Sequence, residues 1–240
     1  MRQGHGEISA TLIRLILDEN PADMLILDVG CGSGRLALSI SPHCKEVVGI
    51  DWDEGEIERG RGRVRSAGIT NIRLIVADAE KVDYKELVGG REIGMVAANL
   101  CMSDEILRRA HRALGRGSAV AFSCFHADQW RETGVISRFA YTQDRMEAVL
   151  KEVGFSPEYL GLEKEVIKFS SKEEVEEYLA GSPLRDKWIR DGRWDNLMRY
   201  IEGGGREFTP RSHLIIKARK ISSSHFLRGA TPGRPLRPIL

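Results

Sequence analysis

The 240-residue sequence has no apolar stretch near the roughly eighteen residues that a membrane span needs; its longest apolar runs are short, such as Met24–Leu27. A spanning or anchored protein is therefore not expected. Cysteine is sparse: Cys31, Cys44, Cys101 and Cys124 form no CxxC pair and have no histidine at metal-ligand spacing. That pattern argues against a zinc site or a disulfide framework and predicts reduced thiols. Excess charge is missing too, with 36 Lys+Arg against 35 Asp+Glu and a formal net charge of +1. Nothing in that total suggests a protein made to coat nucleic acid or an anionic membrane. Asn and Gln together number only seven while charged residues make up 30%, a bias found in heat-adapted proteins. The N-terminal stretch carries Asp18 and Glu19 within its apolar part and has no small-residue cleavage site, so a cytoplasmic location is expected.

The near-zero charge is unevenly distributed. Residues 211–240 hold seven basic side chains and no acid, which leaves residues 1–210 at −6. The last nine residues contain three of the eight prolines, and 221–240 reads as a basic, Pro-rich, flexible tail. Between residue 24 and about 162, short apolar runs alternate with helical patterns, which predicts an α/β fold with a mostly parallel, doubly wound sheet. Strands are expected at 24–29, 46–51, 72–77, 93–99, 118–125, 157–162 and 212–218. Helices are expected near 9–19, 33–41, 55–67, 103–114 and 142–153. The Ser171-Lys172-Glu173-Glu174 capping box starts a helix over 172–180, and a second should cover 184–201. These two helices make 164–206 an insertion before the last strand of a domain spanning 1–220, either a lid or a dimer contact built on Trp188 and Trp194.

Chemistry concentrates at the strand ends. Asp28-Val29-Gly30-Cys31-Gly32-Ser33-Gly34 lies where the first strand turns into a helix, and glycines there let a backbone approach a nucleotide. A dinucleotide fingerprint needs glycine at position 35, which is Arg35, and a P-loop needs Gly-Lys-Ser/Thr at the helix start; neither is present. Asp51 ends the second strand, where a carboxylate can accept both ribose hydroxyls. Asp78-Ala79-Glu80 ends the third, where a carboxylate can accept an adenine amino group. Singly, each acid reads as a turn or cap residue, and Trp52 as a packing residue. Three strands in order each ending in a group suited to part of an adenosine is a different matter.

On these residues the sequence resembles the class I S-adenosylmethionine-dependent methyltransferases. Asp28–Gly34 is similar to that family's first motif, Asp51 to its ribose acid, Asp78-Ala79-Glu80 to its adenine motif and Asn99-Leu100-Cys101-Met102 to its segment after the fourth strand. The resemblance implies a Rossmann-like sheet with a reversed last strand. It also implies S-adenosylmethionine as cofactor, held by Asp28, Gly30, Cys31, Gly32, Gly34, Asp51, Trp52, Asp78, Ala79, Glu80 and Asn99, and no metal. Asp28 would reach the methionine ammonium, and Cys31 is there because it is small.

The acceptor is less legible. His126 and Asp128, just past the fifth strand, stand where a general base would, with a solvated loop histidine as the plain alternative; His5 is a weaker candidate. Asn99-Leu100-Cys101-Met102 lacks the Pro-Pro-aromatic pattern of amide and exocyclic-amine methylation. Cys101 and Cys124 sit after strands four and five as in cytosine-C5 enzymes, but without their flanking residues, and are read as packing thiols. The insertion is faintly similar to that of enzymes acting on small carboxylic acids, and Arg131, Arg138 and Arg185 could pair with such an acid. The leading expectation is methyl transfer to a small molecule, at a carboxylate or hydroxyl oxygen. The alternatives are an RNA or protein methyltransferase using the basic tail, and a module that binds the cofactor without transferring its methyl group. A nicotinamide dehydrogenase is a further reading that cofactor binding would separate.

Overall fold

The structure, a computed structural model, describes residues 8–221. The tail from Ser222 onward and His5 lie outside the described residues. Seven strands form one sheet: β1 (Leu25–Val29), β2 (Glu46–Asp51), β3 (Ile72–Val76), β4 (Met95–Asn99), β5 (Ala119–Phe125), β6 (Phe155–Lys168) and β7 (Glu207–Lys220). Their order is β3-β2-β1-β4-β5-β7-β6, with β7 antiparallel to both neighbours and the other pairs parallel. This is the mostly parallel sheet that the alternation of patterns predicts, with the reversed last strand that the resemblance implies. Between β1 and β4 the order reverses direction, which opens a crevice beyond the strands' carboxyl ends.

Every residue of β1 is buried, as expected for a central strand covered on both faces. Side chains alternate across it. Leu25, Leu27 and Val29 enter one core with α4 (Tyr84–Leu87), α5 (Asp104–Ala113) and α6 (Gln143–Val153), while Ile26 joins α1 (Ala10–Leu17) and α2 (Arg35–Ile40) on the other face. The same period of two sends Asp28 to the α2 side. The face of α3 (Glu54–Ser66) is closed by Cys31, Ile57, Val64 and Leu74. Helix starts follow the capping signals: Ser103 Oγ accepts the Ile106 N–H at 3.3 Å, and Thr142 Oγ1 accepts that of Arg145 at 3.2 Å.

Between β6 and β7 stand α7 (Lys172–Ala180), α8 (Pro183–Asp191) and α9 (Arg193–Glu202). Ser171 Oγ accepts from Glu174 N at 3.4 Å as the capping box requires, while Glu174 Oε2 accepts from the N–H of Ser170, one residue before the cap, at 2.7 Å. Three corrections to the sequence reading arise here. The single helix expected over 184–201 is two, because Gly192 takes φ +80° and breaks the ladder. The strands expected at 157–162 and 212–218 continue to Lys168 and back to Glu207 as a ribbon, so the insertion starts after Lys168 rather than at 164. The short helix α4 had no clear signal beyond its cap Asp83, which accepts the N–H groups of Lys85 and Glu86 at 2.8 and 3.1 Å.

The three helices have their own core of Phe169, Val175, Leu179, Trp188, Leu197, Met198, Ile201 and Phe208. Trp188 is fully buried, edge-on to both Trp130 and Phe208, so truncating it to alanine should cost about 3–5 kcal/mol. Its packing is that of a core residue, and Trp194 packs partly buried beside it. No helix among the described residues is long and apolar enough to cross a membrane.

Candidate functional site

Two adjoining hollows lie beyond the carboxyl ends of the parallel strands. The larger, about 560 Å³, is lined by Gly30, Asp51, Trp52, Asp78, Ala79, Glu80 and Asn99 on the β1–β4 side and by Cys124, Phe125, Arg138 and Phe139 on the β5 side, with Leu100–Ser103 between. The smaller, about 300 Å³, is bounded by Asp28, Gly30, Cys31, Gly32, Arg35, Glu56 and Asn99. Ten of the eleven residues assigned to the cofactor therefore meet at one place. The exception is Gly34, which caps α2 at φ +76° and lines neither hollow.

The glycines serve different ends. A Cβ on Gly30 would lie 2.2 Å from Cys101 Sγ, so this glycine exists because the β4 segment crosses directly over it. At Gly32 the nearest atom to such a Cβ is Glu56 Oε2 at 4.0 Å, so that position faces open space. Asp51 ties the loop to β2: its Oδ2 accepts the Gly32 N–H at 2.8 Å and its Oδ1 accepts that of Asp53 at 2.9 Å. Both oxygens keep a lone pair for another donor.

Asp28 is fully buried under the start of α2, where Oδ2 accepts the Ala37 N–H at 3.2 Å and Oδ1 has no partner. Burial, partly offset by that hydrogen bond and reinforced by the nearby Asp51 charge, pushes its carboxyl up to about 7. An unpaired buried carboxylate oxygen costs about 1–3 kcal/mol or more and invites a cationic donor. Asp78 is the reverse case. Lys81 at 2.8 Å and the Glu80 N–H at 2.9 Å hold it below the usual carboxylate range. Glu80 accepts from Ser103 Oγ at 2.5 Å, joining the loops after β3 and β4. Trp52 is 78% exposed, so it forms the rim rather than packing into the core.

The end of β4 is held in a strained form that the sequence did not announce. Leu100 has φ +59°, unusual for a branched side chain, and its N–H is fixed by the backbone oxygen and Oγ of Ser123 at 2.9 and 3.0 Å. Ser123 Oγ in turn donates to Asn99 Oδ1 at 2.8 Å, which points the amide to a set orientation. Ser123, buried in β5, is thus a positioning residue that no motif flagged. Burial pushes the Cys101 thiol up to about 12, with Asp51 and Asp28 adding to it, and raises the Cys31 and Cys124 thiols as well. None is a thiolate at neutral pH.

His126 and Asp128 line neither hollow. His126 Nδ1 lies 3.2 Å from both the Asp128 N–H and Ser212 Oγ, and burial lowers the pKa of the ring. Asp128 pairs with Lys164 at 2.6 Å, which lowers its own pKa. His126 Nδ1 and Asp128 Oδ2 are thus turned toward β7 and β6. The stretch after them is anchored likewise: buried Glu132 accepts the Thr209 N–H and hydroxyl at 3.1 and 2.8 Å, and Asn196 Nδ2 donates to Thr133 O at 2.8 Å. Of the three arginines considered for an acidic acceptor, Arg131 pairs with Glu132 and Arg185 sits over the Trp194 ring; Arg138 alone lines the larger hollow.

Comparison with known proteins agrees with this geometry. Residues 26–117 match the model of a methyltransferase domain. A probable cobalt-precorrin-6B C(15)-methyltransferase (decarboxylating) of Methanocaldococcus jannaschii is 38% identical over 73 residues, 28% of this chain and 40% of that protein. A 23S rRNA (uracil(1939)-C(5))-methyltransferase of Alkalilimnicola ehrlichii is 28% identical over 145 residues, 56% of this chain and 32% of that protein. The matches thus span less than half the length of these curated relatives. The crystal structure of the YcgJ protein of Bacillus subtilis aligns at a TM-score of 0.65 with 14% identity, covering 90% of this chain and all of the other, which shows a shared fold.

Proposed function

We propose that this chain, whose residues 26–117 match the model of a methyltransferase domain, is a class I S-adenosylmethionine-dependent enzyme that transfers the cofactor's methyl group to a small molecule, at a carboxylate or hydroxyl oxygen. The observation that carries the cofactor assignment is the unpartnered, buried Oδ1 of Asp28, beside the open face of Gly32 and continuous with a hollow edged by Asp51, Asp78 and Trp52. That set fits the group. It offers an anionic acceptor for an ammonium, a loop with room for a close approach, carboxylates for hydroxyl or amino donors and an aromatic face for a base.

When bound, S-adenosylmethionine supplies a methyl group made electrophilic by its sulfonium. The chain's part is orientation and exclusion of water. Asp28 would meet the methionine ammonium, Asp51 the ribose, Trp52 the adenine face and Asp78 its amino group, while Asn99, fixed by Ser123, holds the wall between the two hollows. We infer that His126 and Asp128 support the loop after β5, because they line neither hollow and their Nδ1 and Oδ2 atoms face Ser212 and Lys164, and that the acceptor brings its own nucleophile.

A second reading, transfer to RNA, draws on the 145-residue match to the uracil-C5 enzyme. The neutral thiols weigh against it, since methylation at a pyrimidine C5 by covalent addition needs a thiolate. The test is calorimetry with S-adenosylhomocysteine on the wild type and Asp51→Ala, followed by labelled methyl transfer to separated small-molecule, RNA and protein fractions. Binding lost in Asp51→Ala and label confined to small molecules are expected; label in RNA, abolished by Cys101→Ala or Cys124→Ala with cofactor binding intact, would establish the second reading instead.

A further inference from the structure

The larger hollow is polarised. Its β1–β3 side carries Asp51, Asp78 and Glu80, whereas beyond β4 and β5 it is built from Met102, Ile106, Cys124, Phe125 and Phe139 with a single cation, Arg138. Arg138 belongs to a strap, residues 134–140, whose two ends are fixed. At one end Thr133 is bonded by Asn196; at the other the Tyr141 N–H donates to Phe125 O at 2.9 Å and the Tyr141 hydroxyl to Asp104 at 2.8 Å. Within the strap, Ser137 accepts the N–H groups of Phe139 and Ala140 at 3.2 and 2.9 Å, which turns the chain at Arg138. The strap exposes Val135 and Ile136, and it sets Arg138 and Phe139 at the mouth.

The guanidinium of Arg138 is stacked on the Phe139 ring, its carbon 4.4 Å from the centroid, and among the described residues no carboxylate lies within ion-pair distance. Its near neighbours in sequence behave otherwise: Arg131 pairs with Glu132 and Arg145 with Asp104. Stacking covers the faces of a guanidinium and leaves its N–H edge open, and that edge is a donor fork matched to a planar or tetrahedral oxyanion. A cation with a supported face, a free edge and apolar walls is suited to an anion attached to an apolar body.

We propose that Arg138 is the acceptor-recognition residue, and that the acceptor is a small organic anion, a carboxylate or phosphate monoester carried on an apolar or aromatic body. The proposal rests on the small-molecule methyltransferase reading above. The anion is the handle by which the acceptor is held across the mouth, with its body against Phe125 and Met102. A broad polyanion is disfavoured by the same geometry, because the one cation sits opposite three acids.

The test uses the full chain and methyl-labelled S-adenosylmethionine. Acid-soluble extract of the expressing cells is passed over an anion exchanger at neutral pH, and retained and unretained fractions are assayed as acceptors, with RNA and protein fractions alongside. Label should enter the retained fraction. Arg138→Gln should lower kcat/KM by about tenfold to a hundredfold through KM, Arg138→Lys should recover part of it, and affinity for S-adenosylhomocysteine should be unchanged in both. Benzoate should compete where benzamide does not. Phosphatase treatment of the retained fraction tells the two anions apart: loss of the acceptor marks a phosphate, survival a carboxylate. Transfer confined to the unretained fraction, or an unchanged KM in Arg138→Gln, overturns the proposal while leaving the methyltransferase reading intact. Transfer only to RNA or protein overturns both, and loss of S-adenosylhomocysteine binding in the wild type would refute the reading beneath it.

Discussion

Gly30→Ala and Gly32→Ala make a pair that separates folding from binding in one loop. Both glycines have positive φ, +65° and +50°, so an alanine costs about 1–2 kcal/mol of backbone strain at either position. At Gly30 the new Cβ would also lie 2.2 and 2.3 Å from Cys101 Sγ and Cβ, far inside the roughly 3.5–4 Å at which carbon contacts become favourable. The Cys101 side chain cannot turn away from a collision at its own Cβ, so β4's end must shift, and overpacking of this kind adds about 1–3 kcal/mol. The expected loss for Gly30→Ala is about 2–5 kcal/mol in urea unfolding without ligand, a fall in midpoint temperature of about 4–20 °C for a chain of this size. Gly32→Ala should lose only the strain, about 1–2 kcal/mol, because its Cβ meets nothing nearer than 4.0 Å, yet it should weaken S-adenosylhomocysteine binding by filling the smaller hollow. Adding Cys101→Gly to Gly30→Ala removes the collision but not the strain. A double-mutant cycle should therefore show a favourable coupling of about 1–3 kcal/mol. A Gly30→Ala protein as stable as wild type, or a coupling near zero, would refute the crossing of the β4 segment over this glycine.

Asp28 gives a pH dependence with a defined sign. Its carboxyl is raised from 3.8 to about 7, so the folded protein keeps a proton that the unfolded chain releases. That contribution to stability is full below pH 4 and lost as pH rises through 7, while affinity for the ammonium shared by the cofactor and S-adenosylhomocysteine should strengthen over the upper part of that range. Calorimetric titrations of S-adenosylhomocysteine from pH 6 to 8 should show the rise, and Asp28→Asn should flatten it. Ser123→Ala removes the hydroxyl's bonds to Asn99 and Leu100 and leaves only the backbone bond to Leu100; stability should fall by about 1–2 kcal/mol, and cofactor affinity should drop more than that fall would suggest, read by urea unfolding and calorimetry together. Glu132→Ala leaves the buried Thr209 N–H and hydroxyl without their acceptor, at about 2–4 kcal/mol, and should speed proteolysis in the 134–140 strap. If Glu132→Ala unfolds and is cleaved like wild type, the anchoring of that loop to β7 is wrong.

The sequence by itself determined the parallel part of the sheet and the meeting of three carboxylates near its carboxyl edge. Both follow from local rules: apolar runs bounded by turns make strands, and a parallel sheet always presents its carboxyl ends together. Asp28, Asp51 and Asp78 were therefore bound to converge once three strands were recognised in order. Boundaries held where a cap or glycine marked them, as at Ser103 and Gly154. They failed in the insertion, where apolar residues on both sides of Gly192 kept helical spacing and only the backbone angle revealed a break. Tertiary structure alone decided which face each long-range partner took. Gly30 needs to be glycine because of Cys101, seventy-one residues away, and Leu100 tolerates its backbone because Ser123 bonds it. The same holds for the loop after β5. His126, Asp128, Arg131 and Arg138 are close in sequence and alike in promise, but β7 and β6 engage the first two, Glu132 pairs with the third, and Arg138 is the one left facing the hollow. Loop side chains take their direction from the elements packed against them, and no spacing rule within thirteen residues can supply that.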